Sequence, residues 1–338
     1  MKRWYGIWLA CLLLFTSCTK QHAGKIAFYF WKQEFKLNQT EKDYLNHIGA
    51  SKLYIRLFDI DSCRDEICLL APCSIVDPVP APVEVIPVVY ITREAILRIQ
   101  SIDSVATVVA NNVHVRMNQA HLNYSEVQWD MDWTPRTRDT YFKLLESLRK
   151  QACFRDKKFS ATLRLHQVKY RSQCGIPPVD RVSLMCYNMG NLKDYSGGNS
   201  IYQFQKLKDY TRSLSSYPLN ADFALPMFHW VSVFRNRRWQ GLIRTLQEDE
   251  LKKNAFFKNG DKANEYQAAK NGYIHGIFIQ KGDEFRYESV SLQDLQNLVP
   301  YLLKHANQEA PEFIFFHLDS NVISQYPVYE IHSLLDSD

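Results

Sequence analysis

The chain has 338 residues, of which 46% are hydrophobic and 23% charged, with a formal net charge of +5. That length supports one large α/β domain or two smaller ones, and the weak charge, with no basic block, argues against nucleic acid as a partner. The 19 Tyr and 7 Trp suit flat, half-polar ligands such as sugars as well as they suit a large core.

Lys2 and Arg3 precede an apolar run over 4–15, and Thr16 and Ser17 lead to Cys18. A basic start, a short apolar core and small residues before the cut make a secretory signal. Ordinary cleavage is the simple reading. The Cys directly after small residues resembles a bacterial lipoprotein signal. That resemblance implies a signal peptide over 1–17, a lipidated, palmitate-bearing Cys18, a tether over 18–24, and a membrane anchor at the cell envelope. An exported protein can form disulfides. Cys63, Cys68 and Cys73 share one polar loop, where a disulfide is expected with its pairing open; their spacing is wrong for zinc.

A first strand covers 25–31, and Thr40 is placed to cap a helix that Gly49 ends. A second strand covers 53–59, followed by a Cys- and Pro-rich loop over 62–82. A third covers 83–90. The fourth, 127–134, is the most informative. Read with a period of two, Val127, Trp129, Met131 and Trp133 share one face, and Gln128, Asp130, Asp132 and Thr134 the other. Thr137 then starts a helix with an apolar stripe of Tyr141, Leu144, Leu145 and Leu148. A β/α unit of this kind puts the Asp pair at the carboxyl end of its strand, where parallel folds keep their sites.

Further strands are expected over 159–166, 182–188, 222–230 and 312–318, with a Gly-rich loop (Gly190, Gly197, Gly198) and a helix over 202–214 after the sixth. Eight strands with helices between them indicate a single (β/α)8 TIM barrel over 25–338. An insertion over about 231–290 leaves from strand seven. It should hold a basic helix and a hairpin pairing 274–280 with 285–290 around Lys281, Gly282 and Asp283.

In such a barrel, polar residues facing inward near the strand ends line one cup. The candidates are Trp31, Arg56, Gln128, Asp130, Asp132, Arg164, His166, Tyr187, His229 or Trp230, His317 and Asp319. Adjacent carboxylates repel, so one should hold its proton more tightly, and Arg56 or Arg164 would offset this. Acid, base and aromatic platforms together suit glycoside chemistry. No His pair at metal-ligand spacing accompanies the acids, so neither a metal nor a cofactor is expected.

Gln128, Trp129, Asp130, Met131, Asp132 and Trp133 resemble the strand-four motif of family 18 glycoside hydrolases, Asp-Gly-x-Asp-x-Asp-x-Glu. Met185, Cys186, Tyr187 and Asn188 resemble their strand-six Met-x-Tyr-Asp or Tyr-Asn. More of the chain resembles a family of bacterial exported barrels related to those hydrolases, which shares Val-Gln-x-Asp-x-Asp and the Ala224-Leu225-Pro226 of strand seven. The resemblance implies that Asp132 and Tyr187 hold a substrate acetamide, and it makes Asp130, Asp132 and Tyr187 the catalytic candidates. Thr134 stands where the hydrolases carry the catalytic Glu, and Thr cannot protonate a leaving oxygen. The acid would then come from Asp59, Asp61, His166, His317 or Asp319. The expected ligand is a glycan or oligosaccharide, N-acetylglucosamine-containing by the resemblance. It is either hydrolysed by a divergent enzyme or only bound by a non-catalytic glycan- or protein-binding envelope lipoprotein.

Overall fold

The computed structural model describes residues 24–336 except Asp65. The expected signal peptide, Cys18 and most of the expected tether lie outside the described residues. Eight parallel strands close into a barrel: β1 (Lys25–Phe30), β2 (Lys52–Cys63), β3 (Glu84–Ile91), β4 (Glu126–Asp130), β5 (Lys158–Arg164), β6 (Arg181–Met185), β7 (Asn220–Pro226) and β8 (Glu312–Phe316). Each pairs with the next, and β8 returns to β1 with Lys25 opposite Glu312. The expected (β/α)8 architecture is present.

The period-two pattern of β4 explains its placement. Val127 and Trp129 are fully buried on the outer face, where the Trp129 ring sits 5.3 Å from Phe159 and 5.8 Å from Phe154. Tyr141, Leu144, Leu145 and Leu148 of the helix Arg138–Arg149 belong to the same core. The opposite face points into the barrel, which is packed rather than hollow. Its floor joins the first residues of five strands: Tyr54 Oη donates to Glu312 at 2.6 Å, Lys52 meets Glu312 and Glu126 at 3.3 and 3.6 Å, and Arg181 pairs with Asp222. Above it, Tyr29 Oη donates to Gln128 at 2.6 Å, and Gln128 donates to Ser183 at 3.0 Å. Partners limit the cost of burying these groups without removing it: Glu126 Oε1 and Arg181 Nε have none among the described residues, and burial pushes the Asp222 carboxyl up to about 6.

Several expected bounds are corrected. The fourth strand stops at Asp130, the fifth at Arg164, the sixth at Met185, the seventh at Pro226 and the eighth at Phe316. Beyond those points the regular ladder gives way to single backbone bonds, such as Cys186 N to the Ala224 carbonyl at 2.9 Å and Leu318 N to the Tyr29 carbonyl at 3.0 Å, so the alternation in the sequence outlasts the sheet. His166 therefore sits in the helix Leu165–Lys169, and Trp230 opens the insertion. Thr137 does not cap with its side chain; its hydroxyl instead accepts from the Thr134 amide at 2.9 Å. Asn38, not Thr40, caps the first helix, while Gly49 closes it at φ +62° as glycine permits. The Cys-rich loop is a strand, Glu66–Leu70, folded back on the end of β2 and stapled by a Cys63–Cys68 disulfide.

The insertion is an antiparallel sheet in the order Arg238–Ile243, Trp230–Arg235, Glu284–Glu288, Glu265–Ala268, Phe257–Asn259. The expected hairpin is wrong: Ile277–Ile279 pairs back with Gly272–Ile274, and Glu284–Glu288 pairs with Trp230–Arg235. The Lys281-Gly282-Asp283 turn is a connection between those two partnerships. The helix Glu248–Lys253 is acidic in its first turn and basic only in its last. Val231, Val233, Tyr266, Phe285 and Tyr287 build a core separate from that of the barrel.

Candidate functional site at the mouth of the barrel

The carboxyl ends of the strands open onto a cleft of two cavities. One, about 780 Å³, is lined by Trp31, Tyr187, Phe228, His229, Trp230, Phe316, His317 and Asp319 from the barrel side, and by Glu250 and His275 from the insertion. The other, about 560 Å³, is lined by Asp132, Thr134, Arg164, His166 and Ser200 among others. Asn188, Trp230 and Arg244 line both. A smaller cavity of about 260 Å³ lies on the insertion sheet and shares no lining residue with this cleft.

The two acids of the fourth strand part company. Asp130 is the last residue of β4, 5% exposed, and accepts from the Thr162 hydroxyl at 2.6 Å. Burial, reinforced by the Asp132 charge, pushes its carboxyl up to about 6, against the pull of Arg164. Asp132 lies past the strand end and its side chain is 51% exposed. Arg164 grips it with both arms of the guanidinium, the Nη2 contact at 2.8 Å. Burial pulls Arg164 down, but Asp132 more than offsets this and holds it charged. This fork-to-fork pairing is geometrically specific and leaves Asp132 fewer free lone pairs for a ligand.

Tyr187 is buried at 5% exposure, and its ring lies 5.5 Å from Phe316 and 5.8 Å from Phe228. Its hydroxyl has no hydrogen-bond partner among the described residues, nor does Trp230 Nε1. Both atoms are enclosed, so each carries an unrepaid desolvation cost. Burial raises the Tyr187 phenol, so it acts as a neutral donor. Burial also lowers His166, His229 and His317, which favours their neutral rings. Trp31 is half-buried, with the Arg56 guanidinium 5.5 Å from its ring centre, and Arg56 is tied to Asp59 at 2.6 Å.

The cleft thus gathers Trp31, Asp132, Arg164, His166, Tyr187, Trp230, His317 and Asp319. It does not gather Gln128, which is fully buried with its amide spent on Tyr29 and Ser183. Among the suggested acids, Asp61 accepts from Thr92 at 2.7 Å, Asp59 is held by Arg56, and Asp319 caps the next helix and pairs with Lys32 at 3.2 Å. Burial pushes Asp319 up, but the Asn321 amide and Lys32 outweigh it and the carboxyl ends below its ordinary range. Arg244, Glu250 and His275 were not legible as site residues, because only the folded insertion brings them over the barrel. Phe228 and Phe316 carry an aromatic signal at the strand ends, but nothing in the pattern separated them from core.

No family model matches this sequence, and no curated protein does. Solved structures do. The spore cortex-lytic enzyme SleL of Bacillus megaterium QM B1551 aligns with a TM-score of 0.57 at 12% identity, over 93% of this chain and 74% of that one. A class V chitinase mutant of the plant Cycas revoluta, solved with (GlcNAc)3, aligns at 0.57 and 11%, over 92% and 99%. The chitinase of Chromobacterium violaceum ATCC 12472 aligns at 0.54 and 9%, over 92% and 98%. The likeness spans the barrel and is one of fold: this chain is a (β/α)8 barrel built like these chitinase-like proteins.

Proposed function

We propose that this protein is an envelope lipoprotein, anchored through Cys18, that binds a glycan in the cleft without hydrolysing it. What carries the reading is the cleft's chemistry. Rings of Trp31, Phe228, Trp230 and Phe316 line a cavity whose polar wall includes Asn188, Gln247 and Arg244. Flat apolar walls with a few convergent donors are what a pyranose ring needs. Hydrolysis needs more: a proton donor at the leaving oxygen, and a carboxylate free to assist. Thr134 holds the position where the resemblance calls for the donor, and Arg164 occupies Asp132. The proton that Asp130 keeps up to about pH 6 sits on a group that is almost fully enclosed. The cycad chitinase structure carrying (GlcNAc)3 makes N-acetylglucosamine oligosaccharides the natural first probes.

The test is a panel of neutral and acidic oligosaccharides assayed both for binding, by calorimetry, and for release of new reducing ends. Binding without release is expected, and Trp31→Ala should weaken it about tenfold or more through loss of a stacking platform. Release of products abolished by Asp132→Asn would make the protein a hydrolase, and absence of binding across the panel would remove the glycan reading. Anchoring is read separately: incorporation of a palmitate analogue should vanish in Cys18→Ala.

A further inference from the structure

We propose that the glycan taken by the cleft is anionic, carrying a carboxylate or sulfate group, and that Arg244 is its counter-ion. This rests on the cleft being a glycan site. Three carboxylates line the two cavities, and each has a partner: Asp132 the Arg164 guanidinium at 2.8 Å, Asp319 the Lys32 ammonium at 3.2 Å, which it shares with Glu41, and Glu250 the His275 ring at 3.0 Å. The cations are not all answered. Arg244 is exposed, lines both cavities, and its side chain has no ion pair or hydrogen bond among the described residues. Lys206, in an adjoining cavity with Arg164 and His166, donates to the Met189 carbonyl, a neutral acceptor that leaves its charge uncompensated.

The rest of the polar lining is uncharged, with Asn188, Gln247, Asn321 and the neutral His229 and His317 able to donate or accept. Thr134 adds no charge where an acid would repel an anion, and the buried Tyr187 phenol beneath the lining stays protonated. A neutral sugar would offer Arg244 only hydroxyl or carbonyl acceptors and leave its charge uncompensated. A carboxylate or sulfate matches its planar fork, and such charge-assisted bonds are roughly twice as strong as neutral ones.

The experiment titrates the purified protein at low ionic strength with three hexasaccharides: chitohexaose (neutral), a hyaluronan fragment (carboxylate only) and a heparin fragment (sulfate and carboxylate). At least one acidic hexasaccharide should bind about tenfold or more tighter than chitohexaose, in line with hydrogen bonds to charged groups. Arg244→Gln should erase that difference and Arg244→Lys should keep part of it, with thermal melts unchanged because the residue is exposed. Binding of hyaluronan identifies the carboxylate, and binding of heparin alone identifies the sulfate. Chitohexaose binding as tightly as both acidic ligands, or full affinity in Arg244→Gln, would overturn the proposal and leave the glycan site standing. No binding by any of the three would instead overturn the glycan site.

Discussion

Asp130 shows how one side chain trades stability for position. Its carboxyl moves from the ordinary aspartate value of 3.8 up to about 6, chiefly through burial. An acid whose folded value stands above its unfolded one binds its proton more tightly when folded. It costs nothing below about pH 4, and the cost grows as pH rises through 4 to 6, so the charge is a net penalty at neutrality. Asp130→Asn, which keeps an acceptor for Thr162, should therefore stabilise the fold at pH 7.5 by about 2–3 kcal/mol, a figure set by the size of the shift. The gain should shrink to nothing near pH 4. Denaturant melts of both proteins across that range check this; a gain independent of pH would mean that packing, not charge, is responsible. The pairing of acids along 127–134 was legible in the sequence. Which acid would be enclosed and which would meet an arginine was not, since Arg164 lies one strand away and its reach is a matter of register.

At the scale of elements, the loop after β6 and the insertion sheet are held together by one buried network. Arg286 is 3% exposed; it donates to Glu288 at 2.7 Å and to the carbonyls of Asp194 and Tyr195 at 2.9 and 3.0 Å. Glu288 in turn accepts from Ser232 at 3.0 Å and from the amide and hydroxyl of Ser200. The face carrying these groups is the reverse of the sheet's apolar face, because alternate residues of Glu284–Glu288 point opposite ways. Removing one member of a buried pair strands the other, so Arg286→Met should cost about 3 kcal/mol or more. Hydrogen exchange should rise across 190–201 before it rises in the barrel strands. Unchanged protection there would show that the loop is held by other contacts. The sequence marks this stretch only as a Gly-rich loop, because its partners lie about 90 residues downstream.

The whole molecule is a barrel with a separately cored accessory sheet across its mouth. Trp230 and Glu288 are directly paired, so the insertion leaves and returns at neighbouring points. Replacing 231–287 with a short Gly-Ser bridge should thus leave a barrel that still melts cooperatively, while glycan binding falls sharply with the loss of Arg244, Glu250 and His275 from the cleft wall. Circular dichroism melts and calorimetry on the shortened chain read the two effects independently; loss of the cooperative melt would mean that the two cores fold as one. The sequence by itself determined the barrel, the strand that carries the acids, the aromatic and basic residues near strand ends, and the disulfide-bearing loop. Those features follow from period-two burial and local chemistry, which each stretch records alone. Only the tertiary structure decided that Asp132 belongs to Arg164, that Gln128 is spent inside the barrel, and that Arg244 hangs unpaired over the cleft. Each of those depends on groups brought together from distant parts of the chain, and a linear pattern carries no record of such distances.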